Sequence, residues 1–170
     1  MAGARDEDGE NPRPQTRKAM SRHISEALRQ FVIKRAKNIC EYCLIDIDDT
    51  WLGAEVDHII SVKHGGATKR GNLACTCQPC NRNKGSDLGS IYWPSGELVR
   101  FFNPRTDHWA DHFELDGALI KPLTEIGEVT ARILDFNDEW RLQERSELIQ
   151  DGRYPPLAAK RRVKSKKRSK

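Results

Sequence analysis

No apolar run in this chain approaches the roughly 18 residues that a membrane-spanning helix needs, so no membrane partner is expected. The first twenty residues, MAGARDEDGENPRPQTRKAM, lack the apolar core of a secretory signal, and the expected location is cytoplasmic. There are no internal repeats. Cysteine is scarce and odd in number: Cys40, Cys43, Cys75, Cys77 and Cys80. An odd set, mostly in C-x-x-C pairs, argues against a disulfide framework. In a reducing compartment such pairs point to a metal instead.

What is present reads as a soluble globular protein with polar tails: 37% of the 170 residues are hydrophobic and 32% are charged. The net charge of +4 hides an asymmetry. From Lys160 to Lys170 the chain carries eight basic residues and no acid, so the preceding 159 residues sum to −4. Such a basic stretch attracts phosphate backbones without reading sequence, or simply solvates the terminus.

Residues 1–20 are rich in charge, Pro and Gly and read as disordered. A helix is expected from about Ser21, capped by Ser21 or Ser25. Ile24, Leu28, Phe31, Val32 and Ala36 then form one core-facing side. Glu55 to Val62 reads as a strand, His64-Gly65-Gly66 as a turn, and Asn72 to Ala74 as a short return strand. A helix is expected from Cys77–Asn81 past Lys84. Further on, Leu98 to Phe102 suggests a strand. Asp116-Gly117 lies between two strand-like runs, 112–115 and 118–120, as in a hairpin. Two helices should follow, 125–135 capped by Thr124 and 138–150 capped by Asn137, with Gly152 near the end.

Cys40-x-x-Cys43 and Cys77-x-x-Cys80 each place two thiolates on a tight turn. Two such turns make a tetrahedral four-thiolate site of the kind zinc prefers. The 33 residues between the pairs fit if a whole β-hairpin lies between them. Cys75 is the surplus thiol, and Cys77 is favoured because it pairs with Cys80. Four protein thiolates leave no open position for water, so this Zn²⁺ is expected to be structural.

Between the pairs lie Asp57-His58-Ile59-Ile60, Gly65-Gly66 and Asn72-Leu73. After the second pair comes Asn81-Arg82-Asn83-Lys84-Gly85. From Cys40 to Gly85, about a quarter of the chain, this combination resembles the HNH endonuclease family. No single element would suffice, but paired cysteines, D-H-I-I, Gly-Gly, N-L and C-x-x-C-N-x-x-K together are specific. The residue types suit phosphodiester hydrolysis. His58 has the intrinsic pKa to take a proton from water, Asp57 is a hard oxygen ligand for Mg²⁺ or Mn²⁺, and Asn81 can add a carboxamide oxygen. The resemblance implies the same roles: His58 as general base, Asp57 and Asn81 on a catalytic metal, and Asn72 holding the loop through backbone hydrogen bonds. It also implies 5′-phosphate and 3′-hydroxyl products. Many members carry His where this chain has Asn81, whereas the HNH domains of RNA-guided CRISPR nucleases resemble it in having Asn followed by Arg or Lys.

The expected fold class is α+β. A ββα-metal core with a structural four-cysteine zinc site is preceded by a helix and followed by a small strand/two-helix extension, with disordered tails. The expected division is 1–20 tail, 21–88 HNH nuclease domain, 89–153 extension and 154–170 basic disordered tail. The extension's Phe101-Phe102-Asn103-Pro104-Arg105, Trp109 and His112-Phe113 resemble an extension of some bacterial HNH proteins. His108, Asp111 and His112 are read as a packed aromatic corner, and Trp93, Trp109 and Trp140 as core. Arg82, Lys84, Arg105, Arg161 and Lys166 are candidate nucleic-acid contacts, with a buried ion pair the alternative for Arg105. The expected function is metal-dependent hydrolysis of DNA, most naturally double-stranded. The alternatives are a non-catalytic zinc module that binds nucleic acid or protein, and an RNase using the same site. The oligomeric state is left open.

Overall fold

A computed structural model describes residues 23–164. The expectations placed on residues 1–22, on Ser21 and on Lys166 lie outside the described residues. Helix α1 spans Glu26–Ala36, capped by the Ser25 side chain, which accepts from the Leu28 amide. Val32 and Ala36 are buried, Ile24 and Leu28 pack against the core, and Phe31 stays half out of it.

Strands β1 (Glu55–His58) and β2 (Leu73–Thr76) pair antiparallel, with Asp57 opposite Ala74 and His58 opposite Leu73. Helix α2 (Gln78–Lys84) follows at once. β1 is shorter than the β-branched run 55–62 suggests. Beyond Ile59 the backbone turns into a short 3-10 segment at Val62–His64, and the Asn72 side chain takes over its hydrogen bonds. Gly66 makes that turn possible, because a Cβ there would sit 1.7 Å from the Ile60 carbonyl oxygen.

The extension contains β3 (Gly89–Tyr92), which the sequence reading left out, paired with β4 (Glu97–Arg100). Helix α3 (Trp109–His112) leads into the hairpin β5 (Phe113–Asp116) and β6 (Leu119–Pro122). Gly117 adopts φ 56° at the turn, as Asp-Gly predicts. Helix α4 (Glu125–Ile133) is capped by Thr124 as expected, whereas α5 (Glu139–Gln150) is capped by Asp138. Asn137 instead bonds both backbone polar groups of Ile120 on β6.

One hydrophobic core runs through both parts, from Val32 and Leu73 to Phe113, Phe136 and Tyr154. The aromatic corner is present: Phe102 meets Tyr42, His112 and Phe113 edge-on at 5.4–6.2 Å. Of the tryptophans assigned to the core, only Trp109 is there; Trp93 is 72% exposed and Trp140 is 50% exposed. Residues 154–164, expected to belong to a disordered basic tail, are ordered against the rest of the chain. Tyr154 and Ala159 are buried, and helix α6 (Lys160–Val163) packs near α3 and β5. Tyr154 is drawn in because its ring is apolar and its hydroxyl finds the Cys43 carbonyl at 2.9 Å.

Candidate metal centre and catalytic face

The four thiols Cys40, Cys43, Cys77 and Cys80 are buried, and their sulfurs all lie within 4.8 Å of one another. Local structure dictates this. The first pair sits on a tight turn that closes by Leu44 N–H to Cys40 O, with Leu44 at φ 65°. The second pair occupies the cap and first turn of α2, three residues apart on one side. Cys43 Sγ and Cys77 Sγ are 3.6 Å apart. Thiolates about 2.3 Å from a shared tetrahedral zinc would be about 3.8 Å apart, so the set fits that ion. Cys75, on β2 opposite Val56 of β1 and with its backbone bonded to Glu41, is not in the group; burial pushes its thiol up to about 12.

The extension grips this centre residue by residue. Arg105 pairs with Glu41, Trp109 Nε1 donates to Tyr42 O at 2.8 Å, and Tyr154 reaches Cys43 O. Buried Arg141 donates to Cys80 Sγ at 3.1 Å and to the Leu134 and Asp135 carbonyls. Burial works against the Arg141 charge, but the facing thiols outweigh it and hold its pKa above the usual arginine range. A guanidinium suits a four-thiolate zinc, which carries surplus negative charge. Neither Arg141 nor Glu41 carries a motif signal; each is recognisable only by what it touches.

Strand β1 and helix α2 form the second half of the site. Glu55 and Asp57 are two residues apart on β1 and share a side facing α2. Glu55 accepts from Asn81 Nδ2, which leaves the amide oxygen for a cation. Asp57 Oδ2 accepts from Lys84 Nζ at 2.8 Å, and the same ammonium donates to the carbonyls of His58 and Gly85. Lys84 is 1% exposed, so the expectation of a phosphate contact there is corrected: the lysine is an internal counter-ion. For Arg105 the structure shows the alternative reading, an ion pair with buried Glu41, in place of a phosphate contact. Arg82 and Arg161 are exposed.

His58 ends β1 with Nε2 2.8 Å from Thr68 Oγ1. Burial lowers its pKa first, Asp57 opposes that, and Lys84 lowers it further. The net shift favours the neutral imidazole. Asn72 accepts from Ile60 N and donates to Ile60 O and Ala67 O, the role expected of the middle position. The donor set of Glu55, Asp57 and Asn81 is all hard oxygen, which fits a divalent cation such as Mg²⁺ or Mn²⁺. Glu55 was missed; its place two residues before Asp57 was the available signal.

The HNH endonuclease family model matches residues 40–87. This segment is an HNH domain. The matched stretch spans the thiol centre, the β1–β2 hairpin and α2, and the match supports a nuclease-type function, which implies a nucleic-acid substrate. The chain matches no curated protein. Among the described residues no helix is long and apolar enough to cross a membrane.

Proposed function

We propose that the protein is a metal-dependent endonuclease that hydrolyses phosphodiester bonds in DNA, most readily in duplex form. The observation that carries this reading is the two-rung contact between β1 and α2, Glu55 with Asn81 and Asp57 with Lys84, directly beside His58. A binding module has no need for oxygen donors and a neutral imidazole gathered at one strand end.

In this reading His58 accepts the proton of the attacking water. If Thr68 accepts from Nε2–H, Nδ1 is the basic nitrogen. Asp57 and Asn81 would hold a single Mg²⁺ or Mn²⁺, which would supply charge neutralisation for the reaction. Lys84 holds the Asp57 carboxylate in place on the α2 side of β1. Asn72 holds the Ile60–Ala67 loop, and with it the carbonyl end of β1. The thiol centre carries a structural Zn²⁺ and fixes the start of α2, and so Asn81. Arg82 and Arg161 contact backbone phosphates, and Lys166 is assigned with them from sequence.

The test is cleavage of supercoiled plasmid beside single-stranded DNA and structured RNA, with Mg²⁺, Mn²⁺ or EDTA. Metal-dependent nicking that EDTA abolishes and that His58→Ala loses is the expected result. Parent-like cutting by that variant removes His58 from the role of base, and RNA cut in preference to plasmid reverses the substrate.

A further inference from the structure

Thr68, which touches His58, is followed by exposed Lys69 and Arg70. The Arg70 guanidinium lies 4.1 Å from the Phe31 ring on α1, and its carbonyl accepts from Arg35 Nη1 at 2.6 Å. Exposed Lys34 and Lys37 mark the last turn and cap of α1. The Ala36 carbonyl at that helix end accepts from Arg162 Nη2 at 3.2 Å, which brings α6 and its exposed Lys160 and Arg161 alongside. The first turn of the basic stretch, which packs near α3 and β5, is thus tied to the end of α1 by this hydrogen bond.

The charge beneath this face is also positive. Buried Glu41 is the common counter-ion of Arg105, of Arg35 at 3.8 Å and of Arg162 at 3.7 Å. One carboxylate among three guanidiniums leaves net positive charge under the surface. Arg35 and Arg162 are both held below the usual arginine range, by burial first and by like charge as well. A fixed positive field next to exposed lysines and arginines is complementary to a phosphate backbone.

We propose that the Lys69–Arg70 turn, the end of α1 and helix α6 form one cationic track that holds the backbone of duplex DNA and leads it to His58. Arg162 is a positioning residue that seats α6 through Glu41 and Ala36. The track rests on the nucleic-acid substrate of the proposed function, but not on catalysis.

The experiment uses the full chain, zinc-loaded, and a fluorescent 30-base-pair duplex, titrated at several salt concentrations without added divalent metal so that nothing is cut. In the K34Q/K37Q/K160Q/R161Q variant, affinity should fall by at least about tenfold near 0.1 M salt. The slope of log K against log salt should shrink by about 2 to 4, since each lost phosphate contact removes about 0.9. Zinc content and thermal midpoint should be unchanged, because all four positions are exposed. A slope within half a unit of the parent, or a loss per charge no larger than that of Lys121→Gln on the far hairpin, overturns the track. A parent that binds duplex through these residues yet cleaves nothing overturns the catalytic reading and leaves the track standing.

Discussion

Lys84 and Asp57, 27 residues apart, meet at 2.8 Å with the lysine nitrogen sealed between that carboxylate and the His58 carbonyl. The last residue of α2 thus fastens the strand that carries the imidazole. A buried ammonium that loses its stem takes three hydrogen bonds with it. It also leaves Asp57 without its counter-ion, at a cost of about 2–3 kcal/mol for a carboxylate that retains some contact with water. Lys84→Met should therefore lower the thermal midpoint by several degrees. Because a cation on Asp57 replaces the missing charge, millimolar Mg²⁺ should restore part of the loss in the variant and raise the parent less. Calorimetry with and without Mg²⁺ decides it, and equal Mg²⁺ effects in both proteins would mean that Asp57 is not a ligand.

The pH profile follows from burial. The His58 pKa is depressed below its ordinary 6.5, so the neutral form is favoured at pH 7 and is lost as pH falls through the lowered value. Single-turnover cleavage should be level above neutrality and decline in mild acid, with an apparent pKa below 6.5. His58→Ala should lose about 10²–10⁴ of the rate and flatten that decline. An acid limb that persists unchanged in the variant would assign the titration to another group.

The choice between Cys75 and Cys77 has a direct readout. Cys77 lies in the four-sulfur group, whereas Cys75 pairs opposite Val56 on β2. Cys75→Ala should keep one equivalent of zinc by metal analysis, with a modest stability loss of about 1 kcal/mol for a small buried side chain. Cys77→Ala, like Cys43→Ala, should lose the zinc and unfold the segment around it. One equivalent retained in the Cys77 variant would contradict the clamp.

Arg141 supplies the charge-assisted contact to Cys80 Sγ from 61 residues away in sequence. With Arg141→Gln the thiolate charge loses its nearest cation, and the Leu134 and Asp135 carbonyls lose a donor. Zinc transfer to a colorimetric chelator should speed up by about tenfold or more, the range typical of lost outer-shell partners. Release at the parent rate would reduce Arg141 to a packing residue.

Local chemistry made much of the site readable beforehand. C-x-x-C pairs place sulfurs together over three residues, Asp-Gly closes a hairpin by its own φ preference, and Thr124 caps the helix that follows it. Those features depend on neighbours in the chain. The Glu55–Asn81 rung, the internal use of Lys84 and the seating of α6 depend on residues 26 to 126 positions apart. Nothing within a short window distinguishes an exposed lysine from a buried counter-ion. The tryptophans failed for the same reason: Trp93, Trp109 and Trp140 are chemically alike, and only the finished packing decided that Trp109 alone would be covered.

The sequence by itself determined the donor types and their order: four thiols in two pairs, an acid beside an imidazole, and an amide one residue past the last cysteine. Covalent spacing of a few residues was enough, because turns and helix starts are short-range objects. Tertiary structure alone decided which charges face each other, since Coulomb and hydrogen-bond partners are chosen by distance in space. That is why Lys84, expected to meet phosphate, became the internal partner of Asp57, and why only the fold chose between phosphate and Glu41 for Arg105.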